Sequence, residues 1–141
     1  ICNHCPYVKA INDRLAALAR EFAPRGAAFV AICSNDAAYS PEDSFDKLKE
    51  QHRGHGFTFP YLVDGTQAVA KAYGAVCTPD FFLFDGEMKL RYRGRMDDNW
   101  QEPAKVAKRD LAVALDALLT GEEPGTEQTP SMGCSIKWKA Q

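Results

Sequence analysis

The chain has 141 residues, 45% of them hydrophobic and 26% charged, with 17 Lys and Arg against 19 Asp and Glu and a net charge of −2. That balance is typical of one globular domain with room for a real core. It argues against a strongly basic nucleic-acid binder or a polybasic membrane-surface segment, and no apolar run nears the roughly 18 residues of a membrane span.

The five cysteines, an odd number in a domain that can pack without staples, predict working thiols in a reducing, cytoplasmic setting rather than a disulfide framework. The chain opens abruptly on Ile1-Cys2-Asn3-His4-Cys5-Pro6 without an initiating Met, so upstream sequence is expected to be missing, including the strand from which the motif projects.

Two cysteines separated by two residues can close a small disulfide ring or hold a soft metal. The residues after the pair favour the first. Val8, Ile11, Leu15, Leu18 and Phe22 form the apolar stripe of an amphipathic helix, with Pro6 suited to its first turn. Cys2 is therefore expected at the mouth of that helix and Cys5 about one turn in. Unpaired N–H groups, the helix dipole and a protonated His4 would all favour a Cys2 thiolate. Cys2 reads as the nucleophile and Cys5 as the resolving thiol.

After Pro24-Arg25-Gly26, the apolar run from Ala27 to Cys33 predicts a strand buried on both faces, with Cys33 as a core residue. Ser40-Pro41-Glu42-Asp43 predicts a helix start, with Phe45, Leu48 and His52 inward and Gly54 and Gly56 ending it. His52 and His55 read as surface histidines. Phe57 to Val63 carries Pro60 and predicts an edge piece; Thr66 predicts the cap of a short helix that Gly74 ends.

Phe81 to Phe84 predicts a second apolar strand, and Asp85-Gly86 a two-residue hairpin. On the return strand Met88, Leu90 and Tyr92 are expected inward and Lys89, Arg91, Arg93 and Arg95 outward. A last helix is expected from Glu102-Pro103 to Gly121. Residues 1–121 thus read as the redox domain, and residues 122–141 as a linker followed by a docked tail in which Met132, Ile136 and Trp138 seek cover.

The element order is that of an α/β protein with a central mixed sheet flanked by helices. Three stretches carry a resemblance: Cys2-Asn3-His4-Cys5-Pro6-Tyr7-Val8-Lys9, Cys77-Thr78-Pro79-Asp80-Phe81-Phe82-Leu83-Phe84, and Ser131-Met132-Gly133-Cys134-Ser135-Ile136-Lys137-Trp138-Lys139. Over essentially its whole length the chain resembles thioredoxin-fold proteins, and more closely the peroxiredoxin-like redoxins of the alkyl hydroperoxide reductase/thiol-specific antioxidant superfamily. The resemblance implies a thioredoxin-like fold, Cys2 and Cys5 as the redox cysteines, and Pro79 as a cis-proline facing them. The Thr78 backbone would then be the edge that pairs with substrate.

The implied activity is thiol–disulfide exchange on protein or small-molecule disulfides, needing no cofactor, with a reductase or thiol reductant as partner and no nucleic acid or membrane. A thiol peroxidase acting on peroxide is the alternative, with Cys5 or Cys134 resolving a sulfenic acid at Cys2 and Arg91, Arg93 or Arg95 supplying a donor. A copper- or zinc-binding module is a third reading, with Cys2, Cys5 and one of His4, Cys77 or Cys134 as ligands. Cys134 is a possible auxiliary thiol in either redox reading.

Overall fold

The computed structural model describes residues 1–140; Gln141, the last residue of the 122–141 tail, lies outside them. The opening motif leads into a single-turn helix α1 (Pro6–Lys9) and, after a break at Ala10 and Ile11, helix α2 (Asn12–Phe22). The expected single helix is therefore two. Its stripe nevertheless holds across the break: Val8, Ile11, Leu15, Leu18 and Phe22 are all buried.

Strand β1 (Ala31–Cys33) is followed by a 3-10 turn at Pro41–Asp43 and by helix α3 (Phe45–Gly54). Next come β2 (Tyr61–Val63) and α4 (Ala68–Tyr73). Strands β3 (Cys77–Thr78), β4 (Phe81–Phe84) and β5 (Leu90–Gly94) precede α5 (Asp110–Leu119) and β6 (Cys134–Ser135). The fold is mixed α/β. Its strands form three two-stranded ladders: β1 with β2 parallel, β3 with β6 antiparallel, and β4 with β5 antiparallel. Both strand senses are present as expected, but the ladders are short, and Pro79 offers no N–H to continue pairing from β3 into β4.

Several local expectations change. The strand ending at Cys33 is three residues long, not seven, and Val30 is exposed, so the run is covered on one side only. Helix α3 begins after Ser44, whose side chain accepts from the Lys47 N–H at 3.4 Å, rather than after Ser40. That later start rotates the inner face: Leu48 and Gln51 are buried while Phe45 is exposed.

The hairpin is longer than Asp85-Gly86. The Asp85 carboxylate accepts from the Glu87 and Lys89 N–H groups, Met88 takes φ +62°, and pairing slips between Leu83 and Phe84. Met88 and Leu90 consequently face solvent and only Tyr92 points inward. The last helix starts at Asp110; Pro103–Lys105 is a separate 3-10 turn.

The main core lies between α2 and α5, with Phe57, Phe59, Tyr92 and Met96 filling it. A second, smaller cluster gathers Cys2, Cys5, Val8, Cys33 and Leu48, with Cys134 packed against it.

The tail docks by backbone pairing and side-chain clamps. The Asp36 N–H donates to the Lys137 carbonyl at 2.8 Å, and the Lys137 N–H donates to Asn35 Oδ1 at 2.8 Å. Gln67 Nε2 donates to the same Lys137 carbonyl at 2.9 Å and Gln67 Oε1 accepts from the Lys139 N–H at 3.0 Å. Of the three apolar tail residues, Ile136 is buried, Met132 is largely exposed and Trp138 is 41% exposed. Hydrogen bonds to the tail backbone at Lys137 and Lys139, most of them made by the Asn35 and Gln67 side chains, hold the tail down alongside the burial of Ile136.

Candidate functional site: a buried cysteine cluster around Thr78

Cys5 is the N-cap residue of α1, its carbonyl accepting from the Val8 N–H at 3.1 Å and the Lys9 N–H at 2.9 Å. Cys2 lies three residues upstream, outside the helix. This reverses the expected placement, because Pro6 starts the helix immediately after Cys5.

Both sulfurs are 0% exposed and both meet the same residue. Cys2 Sγ lies 3.3 Å from Thr78 Oγ1, and Cys5 Sγ donates to the Thr78 carbonyl at 3.3 Å. The Thr78–Pro79 peptide is cis, and both residues are buried. All five cysteines are free.

The acidity of the two thiols runs opposite to the helix-mouth expectation. Burial pushes the Cys2 thiol up; the Thr78 hydroxyl offsets this only in part, and the Asp43 carboxylate adds to the rise. Burial also raises Cys5, yet hydrogen bonding from the Cys134 thiol and from the Val8, Cys134 and Tyr7 N–H groups outweighs it, and the Cys5 pKa is lowered. The helix N-terminus and the tail both serve Cys5. Cys33 is pushed up to about 12 by burial, which a hydrogen bond from the Asn35 N–H offsets only in part. Cys134 is raised to about 11, by its own burial and then by its hydrogen bond and repulsion with Cys5.

His4 finds a partner that sequence reading missed. Its Nδ1 lies 2.5 Å from Asp43 Oδ2, and Asp43 is fully buried at its side chain. The same carboxylate accepts from the Asn3 N–H at 2.6 Å and from Asn35 Nδ2 at 2.9 Å. Ligand-type atoms of Cys2, His4 and Asp43 lie within 4.8 Å of one another, the one such group among the described residues. In the sequence Asp43 looked only like a first-turn acid. The signal that could have found it is Pro41, which makes the turn that aims Asp43 back at the motif.

Gln51 was missed as well. Its Nε2 donates to the Cys2 carbonyl at 2.9 Å and to Asn12 Oδ1 at 3.1 Å, while its Oε1 accepts from the Tyr61 hydroxyl at 2.9 Å. It fixes the motif backbone to α3. His52 and His55 bond elsewhere, to the Phe59 carbonyl and to Asp13 and Asn12.

The arginines considered as peroxide donors are tied to carboxylates. Arg91 bonds Asp85, Arg93 bonds Asp80 and Arg95 pairs with Asp110. No hydrogen bond among the described residues joins them to Cys2 or Cys5. Cys77, half-buried, has its thiol raised by burial and by Asp80.

The tail completes the site. Strand β6 lies antiparallel on β3 with Thr78 opposite Cys134 and Cys77 opposite Ser135. The Thr78 edge expected to receive substrate is therefore occupied by the protein's own chain.

Known proteins share this architecture. The chain is 49% identical to an uncharacterized conserved protein from Geobacillus kaustophilus, with a TM-score of 0.95, over 100% of this chain and 75% of that one. It is 47% identical to a hypothetical protein from Sinorhizobium meliloti 1021, with a TM-score of 0.93, over 100% of this chain and 78% of that one. No curated protein matches. Residues 1–93, which span the cysteine motif, Asp43 and the Thr78–Pro79 turn, match the AhpC/TSA family. With its thioredoxin-like α/β fold, the chain belongs to the AhpC/TSA family, whose chemistry is thiol-dependent oxidation and reduction.

Proposed function

We propose that the protein is a thiol–disulfide oxidoreductase in which Cys2 and Cys5 cycle between dithiol and disulfide on protein or small disulfide substrates. The observation that carries this reading is the convergence of both sulfurs on Thr78, each at 3.3 Å from one of its oxygens. Two thiols held against one residue can exchange a bond with little rearrangement.

Cys2, raised by burial, needs a base to become a nucleophile. His4 acts as that base: one of its ring nitrogens lies within 4.8 Å of the Cys2 sulfur, and its hydrogen bond to Asp43 holds the ring there. The Cys2 thiolate attacks one sulfur of the substrate disulfide, forming a mixed disulfide and releasing one substrate thiolate, which His4 protonates. The Cys5 thiolate then attacks the Cys2 sulfur, closing the Cys2–Cys5 bond and releasing the second substrate thiolate, which takes up the proton Cys5 gave up. Two electrons pass to the substrate, and a thiol reductant restores the pair.

Of the ligands expected for a metal, Cys2 and His4 lie within 4.8 Å of each other, joined by Asp43 rather than by Cys5. Asp43, however, already accepts from Asn3, His4 and Asn35. A cation would have to displace these bonds, so thiol exchange is favoured. The test is turnover of a disulfide and of hydrogen peroxide side by side, for the wild type, Cys2→Ser and Cys5→Ser, with copper and zinc measured in the purified protein. Disulfide turnover lost in both variants supports the reading. Faster peroxide turnover, or stoichiometric metal with no turnover, overturns it.

A further inference from the structure

The geometry points to Cys134 as a third redox thiol, presented to Cys5 by the β3–β6 pairing so that a Cys2–Cys5 disulfide is passed on as a Cys5–Cys134 disulfide. This rests on the thiol–disulfide reading above.

Three observations carry it. Cys2 and Cys5 are 0% exposed, whereas Cys134 is half-buried and is the most accessible of the three sulfurs. The register sets Cys134 opposite Thr78, whose carbonyl receives the Cys5 thiol, and Cys134 packs against the Cys2–Cys5 cluster. The approach is also built into the backbone. A Cβ at position 133 would overlap the Thr78 carbonyl, so only glycine lets β6 lie this close, and Gly94 makes the same allowance for Thr129 further up the tail.

The step balances within the chain. The Cys134 thiolate attacks Cys5 Sγ in the Cys2–Cys5 disulfide, the Cys5–Cys134 bond forms, and the Cys2–Cys5 bond breaks. Cys2 leaves as a thiolate and takes the proton that Cys134 lost, so nothing is oxidised or reduced overall. The Cys5 anion, which helps to hold the Cys134 thiol up in the reduced protein, is absent once Cys5 is in a disulfide. The result carries the disulfide from the buried pair to a sulfur that a small thiol can attack, returning Cys5 and Cys134 to thiols with two electrons from that reductant.

The experiment uses the full chain. Reduced protein is treated with diamide, which takes up the two electrons and two protons of a thiol pair without any catalysis by the protein. It is then acid-quenched, alkylated and mapped by mass spectrometry. The wild type is expected to give both Cys2–Cys5 and Cys5–Cys134 links, and Cys2→Ser to give Cys5–Cys134 directly. Gly133→Ala, which changes no sulfur, should cut the share of the Cys5–Cys134 link by about tenfold or more, and Cys134→Ser should slow turnover with a small thiol reductant about tenfold. A wild type that shows only Cys2–Cys5, a Cys2→Ser protein without the Cys5–Cys134 link, or a Cys134→Ser protein with unchanged turnover overturns the relay and leaves the Cys2–Cys5 oxidoreductase standing. The oxidoreductase itself fails instead if Cys2→Ser and Cys5→Ser retain full turnover, and the diamide map is read independently of that result.

Discussion

Thr78 and Cys134 face each other across an antiparallel ladder, and the same Thr78 receives the Cys2 and Cys5 sulfurs through its hydroxyl and its carbonyl. One residue therefore ties the motif to the far end of the chain. The tail reports back to the motif by a second route too: Asn35 accepts from the Lys137 N–H and donates to the Asp43 carboxylate that holds His4.

Thr78→Val separates the two contacts, since it removes the hydroxyl and keeps the carbonyl. The Cys2 thiol loses its largest stabilising hydrogen bond, so its pKa moves further up while the Cys5–carbonyl contact persists. One such bond is worth about 0.5–1.5 kcal/mol to the thiolate. Site-resolved alkylation against pH measures it; an unmoved Cys2 inflection would show that the hydroxyl does not govern that thiol.

Asp43→Asn is expected to move acidity and activity in opposite directions. The carboxylate raises Cys2 by repulsion, so its removal lowers the Cys2 pKa. If His4 acts as the base, losing the anion that orients it slows disulfide turnover roughly 10²-fold despite the larger thiolate fraction. Turnover that rises with the thiolate fraction would remove His4 from the mechanism.

Stability should fall at alkaline pH. Cys33, raised from 9.0 to about 12 by burial, keeps its proton in the folded chain while the unfolded chain loses it. Its contribution is complete below pH 9 and is lost between pH 9 and about 12, at up to about 1.4 kcal/mol per pH unit. Cys134, raised to about 11 and partly exposed, adds a smaller loss of the same sign. Cys5, lowered, has given its full contribution by the ordinary thiol range and stays constant above it. Denaturant midpoints at pH 8 to 11 should drop for the wild type and drop less for Cys33→Ala, compared with each protein's own value at pH 8.

Phe22, 1% exposed and the largest fully buried side chain, closes the apolar stripe of α2. Phe22→Ala should cost about 3–5 kcal/mol through lost burial and the cavity left behind. Val113→Ala, on the exposed face of α5, should stay within about 0.5 kcal/mol. Urea unfolding of the pair checks whether the core between α2 and α5 is the main source of stability.

What the sequence determined by itself is local. The apolar stripe from Val8 to Phe22, the cap at Gly74 and the spacing of Cys2 and Cys5 depend on residues within a turn or two of one another, and periodicity and turn chemistry report such neighbours directly. Even there, the phase of α3 and the length of the Asp85 hairpin depended on which side chain capped the backbone, a choice between Ser40 and Ser44 in the case of α3 that composition leaves open. Tertiary structure alone decided the rest. His4 meets Asp43 across 39 positions, and the tail lands on β3 because Gly133 lets its backbone touch Thr78. It also decided which cysteine is acidic, because a thiol's pKa sums burial and donors from every direction: Cys5 gathers N–H groups from α1 and from a strand more than a hundred residues away, while for Cys2 the Thr78 hydroxyl and the Cys5 N–H do not outweigh burial.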